Sequence, residues 1–206
     1  MSNLLLQTKL FRPQPPNRVP RQRLLAQLNT GLSGQLTLVS APAGFGKTTL
    51  VASWVANLWE SVGEEERRSG GEGVQGSTFH LSTPAPLHAA WLSIDKKDND
   101  ADRFLTYLVT AMQTAVSTLG QSILASRQAQ PPPPRENALI MLVNELTQLN
   151  GRLLLTLDDY HLINNDAIHQ ALIFLLDNAP PSFHLIMTTR ADPPLPLPRW
   201  RVRGQL

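Results

Sequence analysis

Cysteine is absent from this 206-residue sequence. That excludes a disulfide scaffold, a thiolate metal site and thiol catalysis, and it fits a reducing cytoplasm. Charge of one sign is scarce as well: 18 Lys and Arg stand against 16 Asp and Glu, a formal net charge of +2. Such an excess is too small to argue for nucleic acid or an anionic membrane on electrostatics alone, even at an isoelectric point near 9.3. No run of about eighteen apolar residues occurs, so nothing reads as a membrane span. The opening MSNLLLQTKLFRPQPPNRVPRQR has neither a continuous apolar core nor a small-residue cleavage site, so no secretory signal is read there. These absences describe a soluble, cytoplasmic protein of one domain with appendages.

What is present is organised around Leu36 to Thr49, LTLVSAPAGFGKTT. A short apolar run leads into Gly44, Gly46, Lys47 and Thr48, the pattern of a strand, a phosphate-binding loop and the start of a helix. Glycines let the backbone curl around an anion, and successive N–H groups plus the helix N-terminus point at it. Lys47 then reaches the β- and γ-phosphates of a nucleotide, and the Thr48 hydroxyl ligates magnesium. The loop offers Ala43, Gly44, Phe45, Gly46, Lys47, Thr48 and Thr49 to the phosphates. It departs from the motif in one place, carrying Ala41, followed by Pro42, where glycine is expected.

Around this core the chain divides by composition. Residues 1–20 carry several prolines and scattered Lys and Arg, which predicts an extended surface arm and not a packed element. Arg21 to Leu28 has helical spacing. Thr48 to Trp59 predicts a long helix with Leu50, Val51, Trp54, Val55 and Leu58 on one stripe. Residues 60–87, rich in Gly, Ser, Glu and Pro, predict a mobile insertion. Ala89 to Ile94 reads as a second strand, and DKKDND follows as a turn with helix caps. Phe104, Leu108, Ala111, Met112, Ala115 and Leu119 mark a helix by period. Pro131 to Pro134 form a stiff connector, and Leu139 to Leu149 another amphipathic helix. Leu153 to Leu157 is an unbroken apolar run, as in a strand buried on both faces. A helix around Ile168 to Leu175, a fourth strand from Phe183 and a Pro/Arg-rich tail over 191–206 complete the chain. Strands alternating with helices predict an α/β fold with a mostly parallel sheet.

Two carboxylates, Asp158 and Asp159, stand at the C-terminal end of the buried strand, where open α/β sheets place ligands. An Asp pair also begins many solvated turns, but the phosphate loop in the same chain favours a functional reading. Asp158 would hold the magnesium with Thr48, directly or through water, and Asp159 would orient or deprotonate the attacking water. Arg190, just past the fourth strand, could contact the γ-phosphate and distinguish ATP from ADP. The five histidines lack metal-ligand spacing and read as structural or surface groups, with His161 nearest the site.

With its phosphate loop, LLLTLDDYHLI and the closing TTRADPPLPLPRWRVRGQL, the chain resembles the N-terminal nucleotide-binding module of MalT-like regulators. These are large ATP-binding members of the LuxR group, within the STAND class of P-loop NTPases. KLFRPQPPNRVPRQRLL and AWLSIDKKDNDADRFLTYL are similar to the family's opening arm and its second strand with the following helix. The resemblance implies a three-layer P-loop sandwich with strand order 1-4-3-2, the chain stopping before a fifth strand, so that Leu36 to Ser40 is an uncovered apolar edge. It also implies an ATP-controlled switch: ADP holds the protein closed, inducer and ATP open it, it self-associates, and a distant helix-turn-helix binds DNA. By the same resemblance, Val19 to Arg21 would lie near the adenine. No DNA reader is recognised in this chain, so direct DNA binding is not expected of it.

Three functions follow as expectations. The first is an ATP/ADP-binding switch module with slow magnesium-dependent hydrolysis. The second is a nucleotide-binding or interaction fragment without useful turnover, which pairs with full-length relatives or missing regulator domains. The third is a metabolic phosphotransferase, which the absence of an acceptor motif counts against.

Overall fold

Four apolar runs become the strands β1 (Leu36–Ser40), β2 (Leu87–Ser93), β3 (Arg152–Asp158) and β4 (Phe183–Thr189). In the computed structural model, which describes residues 5–14, 21–69, 86–127, 129 and 133–206, with 60–69 as backbone only, these strands form one parallel sheet. Their order is β1-β4-β3-β2. Every residue of β4, and all of β3 after Arg152, is buried, as strands covered on both faces must be.

The seven described helices are α1 (Gln22–Gly31), α2 (Lys47–Ser69), α3 (Ala101–Ala115), α4 (Gln121–Arg127), α5 (Arg135–Thr147), α6 (Asp166–Asn178) and α7 (Leu197–Val202). Successive strand residues point to opposite faces, and the packing follows that alternation. Trp91, Leu154 and Ile186 meet Leu28 of α1 and Val51, Trp54 and Val55 of α2. Leu153, Leu155, Leu157, Leu185 and Met187 belong to the larger cluster with α3, α5 and α6. The result is a three-layer P-loop sandwich with β1 and β2 as its outer strands.

Several predicted boundaries move. α2 runs on to Ser69, ten residues past Trp59, because ESVGEEERRS is mostly Glu, Arg and other helix formers broken only by Gly63. Of the expected insertion, 70–85 lies outside the described residues. The helix read through Leu119 stops at Ala115, and Gly120 at φ +70° turns the chain into α4, an unpredicted helix. Leu119 is still buried, which is why it matched the period.

Within the N-terminal arm, expected from the sequence to be extended and on the surface, one turn is anchored while Leu6 and Phe11 are exposed. Gln7–Leu10 forms a 3-10 turn with Leu10 only 3% exposed. Lys9 forms an ion pair with the fully buried Asp98 and lies 3.3 Å from Asp95; its ammonium also sits 4.6 Å from the centre of the Tyr107 ring. The prolines around this turn masked a single local anchor. In the DKKDND turn, Asp95 accepts from the Lys97 N–H and Asp98 from the Asp95 N–H, and Asp100 caps α3, as the sequence predicted.

The Pro/Arg-rich tail is likewise folded. α7 buries Leu197 and Trp200, and the Trp200 indole donates to Asp177 at 3.0 Å. The tail then reaches β1, where the Gln205 carbonyl accepts from the N–H groups of Gln35 and Leu36. β1 is the expected outer strand, with its first amide already paired. Among the described residues no helix is long and apolar enough to cross a membrane.

Candidate functional site

β1 ends at Ser40, and after six intervening residues α2 begins at Lys47. Between them Gly44 and Gly46 adopt φ +83° and +73°, the left-handed region that glycine enters without penalty. A side chain at Gly44 would meet nothing within 4 Å, so its freedom serves the backbone turn. Ala41 is tolerated in place of glycine for an equally local reason: its φ is not positive, and its N–H donates to the Thr189 carbonyl at 3.2 Å, continuing the β1–β4 ladder. The first-turn amides of α2 have no intrahelical acceptor and carry the positive end of the helix dipole. Such a loop and helix start present the N–H groups that anions favour.

Lys47 is buried, and its ammonium donates to the carbonyls of Ala41 and Pro42 at 2.8 and 3.1 Å. Beside it the Thr48 hydroxyl donates to Asp158 Oδ1 at 2.9 Å. Asp158 ends β3 at 4% exposure. Thr188 of β4 donates to the same oxygen at 2.6 Å and accepts the Asp159 N–H at 2.9 Å. Burial pushes the Asp158 carboxyl above its ordinary range, offset in part by the Thr188 and Thr48 hydroxyls. Among the described residues no cationic side chain pairs with it.

Asp159 is the single non-glycine residue with positive φ among the described residues, +61°, and its side chain is 41% exposed. It opens the 3-10 turn Tyr160–Leu162. Tyr160 anchors that turn: its buried hydroxyl meets His169 Nδ1 at 2.6 Å. His161 lies on the site side, with Nδ1 3.6 Å from Asp159 Oδ1. Burial holds its imidazole below the ordinary value; Asp159 opposes that, while the charges of Arg190 and Lys47 add to it.

No protein-family model matches the chain. Over 204 residues, 98% of this chain and 20% of the relative, it is 37% identical to the HTH-type transcriptional regulator MalT of Yersinia enterocolitica serotype O:8 / biotype 1B. The chain is a MalT-like module. It is 35% identical over the same span to the MalT of Yersinia pestis strain Pestoides F, and it spans 20% of the length of these curated relatives. A chain in the structure of Drosophila ORC bound to poly(dA/dT) DNA and Cdc6 superposes at a TM-score of 0.42 with 14% identity, over 89% of this chain and 26% of that one, a loose likeness.

In the MalT-like module, Thr48 and Asp158 meet directly, Lys47 lies on the loop beside them, and Asp159 follows at the strand end. Ala43, Phe45 and Thr49 are exposed along the loop and first turn, and Arg190 is exposed at the end of β4. Arg21 lies against the phosphate loop itself: its guanidinium donates to the Phe45 carbonyl at 3.1 Å. Val19 lies outside the described residues.

Sequence reasoning missed Thr188. The available signal was its place two residues before Arg190, on a strand adjacent to the one ending in Asp158. Residues 158 and 188 come together only through the β3–β4 register. A second concavity of about 510 Å³, between α3, α5 and α6, is lined by Phe104, Leu108, Leu139, Ile168 and Phe174; none of the phosphate-loop residues reaches it. Among the described residues no group of three or more His, Cys, Asp or Glu could hold a metal ion.

Proposed function

We propose that this module is an ATP/ADP-binding switch with slow magnesium-dependent hydrolysis, working within a MalT-like transcriptional regulator. The observation that carries the reading is the 2.9 Å contact of Thr48 with Asp158 beside a phosphate loop closed by Lys47. A buried carboxylate without a cationic partner, touching a hydroxyl, suits a divalent ion that takes its remaining ligands from phosphates and water. That donor set fits magnesium, which usually keeps several waters and uses one or two carboxylates.

In this reading Gly44, Gly46 and the first-turn amides of α2 cradle the phosphates, and Lys47 turns from the Ala41 and Pro42 carbonyls to the β- and γ-phosphates. Thr48 and Asp158 are the magnesium ligands. Asp159 orients or deprotonates the attacking water, and Arg190 senses the γ-phosphate, so the ATP and ADP forms differ at the end of β4. The outer edge of β1 is the surface on which the module would join other regulator domains or a second copy. A direct test measures ATP and ADP affinity with and without magnesium, beside Lys47→Ala and Asp159→Asn. Retained affinity with lost hydrolysis in Asp159→Asn supports the switch with turnover. Binding without turnover in the wild-type chain replaces it with a binding module.

A further inference from the structure

The DKKDND turn between β2 and α3 lies outside the site described above, yet one of its side chains reaches across to it. Asn99 closes the 3-10 turn Lys96–Asn99. Its Nδ2 donates to the Leu162 carbonyl at 2.7 Å and to the Lys96 carbonyl at 3.3 Å, and its Oδ1 accepts the Asn164 N–H at 2.7 Å. Its backbone carbonyl accepts from Asn165 Nδ2 at 2.6 Å. A carbonyl can only accept and a backbone N–H can only donate, so these partners fix the orientation of the Asn99 amide.

Three of those partners lie just beyond Asp159. The 3-10 turn Tyr160–Leu162 starts from Asp159, whose left-handed backbone costs energy outside glycine and persists only where the surroundings over-determine it. On the entering side the sheet does so: the Asp158 carbonyl accepts the Ile94 N–H at 3.0 Å, and the Asp159 N–H donates to Thr188. On the leaving side the turn's own bonds end with the Ile163 N–H, which donates to the Tyr160 carbonyl at 2.9 Å. The next two backbone groups, the Leu162 carbonyl and the Asn164 N–H, are the ones that the Asn99 amide takes. Asn99 therefore closes the far end of this turn as a cap closes a helix. Its own base is fixed as well, because the neighbouring Asp98 is fully buried and holds both Lys9 and the Asp95 N–H, while Asp100 caps α3.

We propose that Asn99 is a positioning residue for Asp159, fixing the turn so that the carboxylate meets the water that attacks the γ-phosphate. The inference rests on the hydrolysis reading above. Asn99 acts through residues 162–165, whereas Lys47, Thr48 and Asp158 are held by bonds of their own. Loss of the clamp leaves the nucleotide bound and the carboxylate misplaced, and a misplacement of about 1 Å is enough to slow a reaction about a hundredfold.

The test compares the wild-type chain with Asn99→Ala, which removes both side-chain links to the turn, and with Asn165→Asp. The latter keeps the α6 cap on the Ala167 N–H but has no donor for the Asn99 carbonyl, so it decides by the same readouts if Asn99→Ala does not fold. Single-turnover hydrolysis of Mg·ATP and Mg·ADP affinity are measured well below each melting temperature, with amide hydrogen exchange over residues 159–165. Asn99→Ala is expected to slow hydrolysis at least roughly tenfold with Mg·ADP affinity unchanged and exchange in the turn faster, and Asn165→Asp to show a smaller loss of the same kind. A joint fall of turnover and ADP affinity overturns the role, since Asn99 would then support the whole module. Slowed turnover with exchange in the turn unchanged overturns it too. A wild-type chain that binds Mg·ADP and hydrolyses nothing overturns the hydrolysis reading and this role together, whereas a hydrolysing wild type matched in rate by both variants overturns this role alone.

Discussion

The Thr48 hydroxyl and the Asp158 carboxylate, 110 residues apart in the chain, meet at 2.9 Å. The contact joins the start of α2 to the end of β3 across the β4 strand that separates β1 from β3 in the sheet. It makes the phosphate loop and the carboxylate one site.

Lys47 is the charge of that site. Lys47→Ala is expected to lower ADP affinity on the order of a hundredfold or more, since it removes the buried ammonium that the proposed site would turn from the Ala41 and Pro42 carbonyls to phosphate. Isothermal titration with Mg·ADP checks it, and a variant that binds as tightly as wild type would remove the loop from the binding site.

Thr188 bridges Asp158 and the Asp159 amide through one hydroxyl. Thr188→Val keeps the shape but leaves both groups short of a partner, which should destabilise the fold by about 2 kcal/mol. Thr188→Ser should restore most of it. Urea melts of the two variants decide: a loss in Thr188→Ser with none in Thr188→Val would show that packing of the methyl group, and not the hydroxyl, sets the cost.

Burial holds the His184 imidazole at about 4, well below its ordinary 6.5. The unfolded chain therefore takes up the proton first as pH falls. The stability that depends on neutral His184 is intact above pH 6.5 and is lost as pH falls toward 4, a loss of up to about 3 kcal/mol. In His184→Asn the slope of stability against pH across that window should flatten. Parallel slopes for the two proteins would count against His184 as its source.

Asp98 is fully buried and takes hydrogen bonds from the Asp95 N–H and from the Lys9 ammonium. Lys9→Met strands much of that charge and should destabilise the chain by about 3 kcal/mol, with Lys9→Met/Asp98→Leu recovering part of the loss. Chemical denaturation of both variants is the measurement. A single substitution without effect would mean that the Lys9–Asp98 pair contributes nothing to the fold.

The parallel sheet was legible because β3 and β4 are buried on both faces and so are mostly apolar, interrupted within LLLTL by Thr156 and within FHLIM by His184. The phosphate loop was legible because its glycines, Lys47 and Thr48 are contiguous. Contacts made across the sheet were not legible: Thr188 is one of two adjacent threonines until the β3–β4 register sets it beside Asp158. The anchors of the arm and the tail were not legible for a different reason. Their prolines announce local backbone shape, while Leu10, Leu197 and Trp200 are held by partners far away in sequence, and α4 is too short to show a period of its own.

The φ of +61° at Asp159 also limits which residues the position can accept. Glycine and asparagine enter that backbone region readily, aspartate somewhat less so, and β-branched residues meet steric resistance. In a library of all substitutions at position 159, folding and turnover should thus sort differently: glycine and asparagine among the best folded, aspartate alone retaining chemistry, and valine and isoleucine depleted from both pools. The shape of the chain and the reaction make separate demands on one codon.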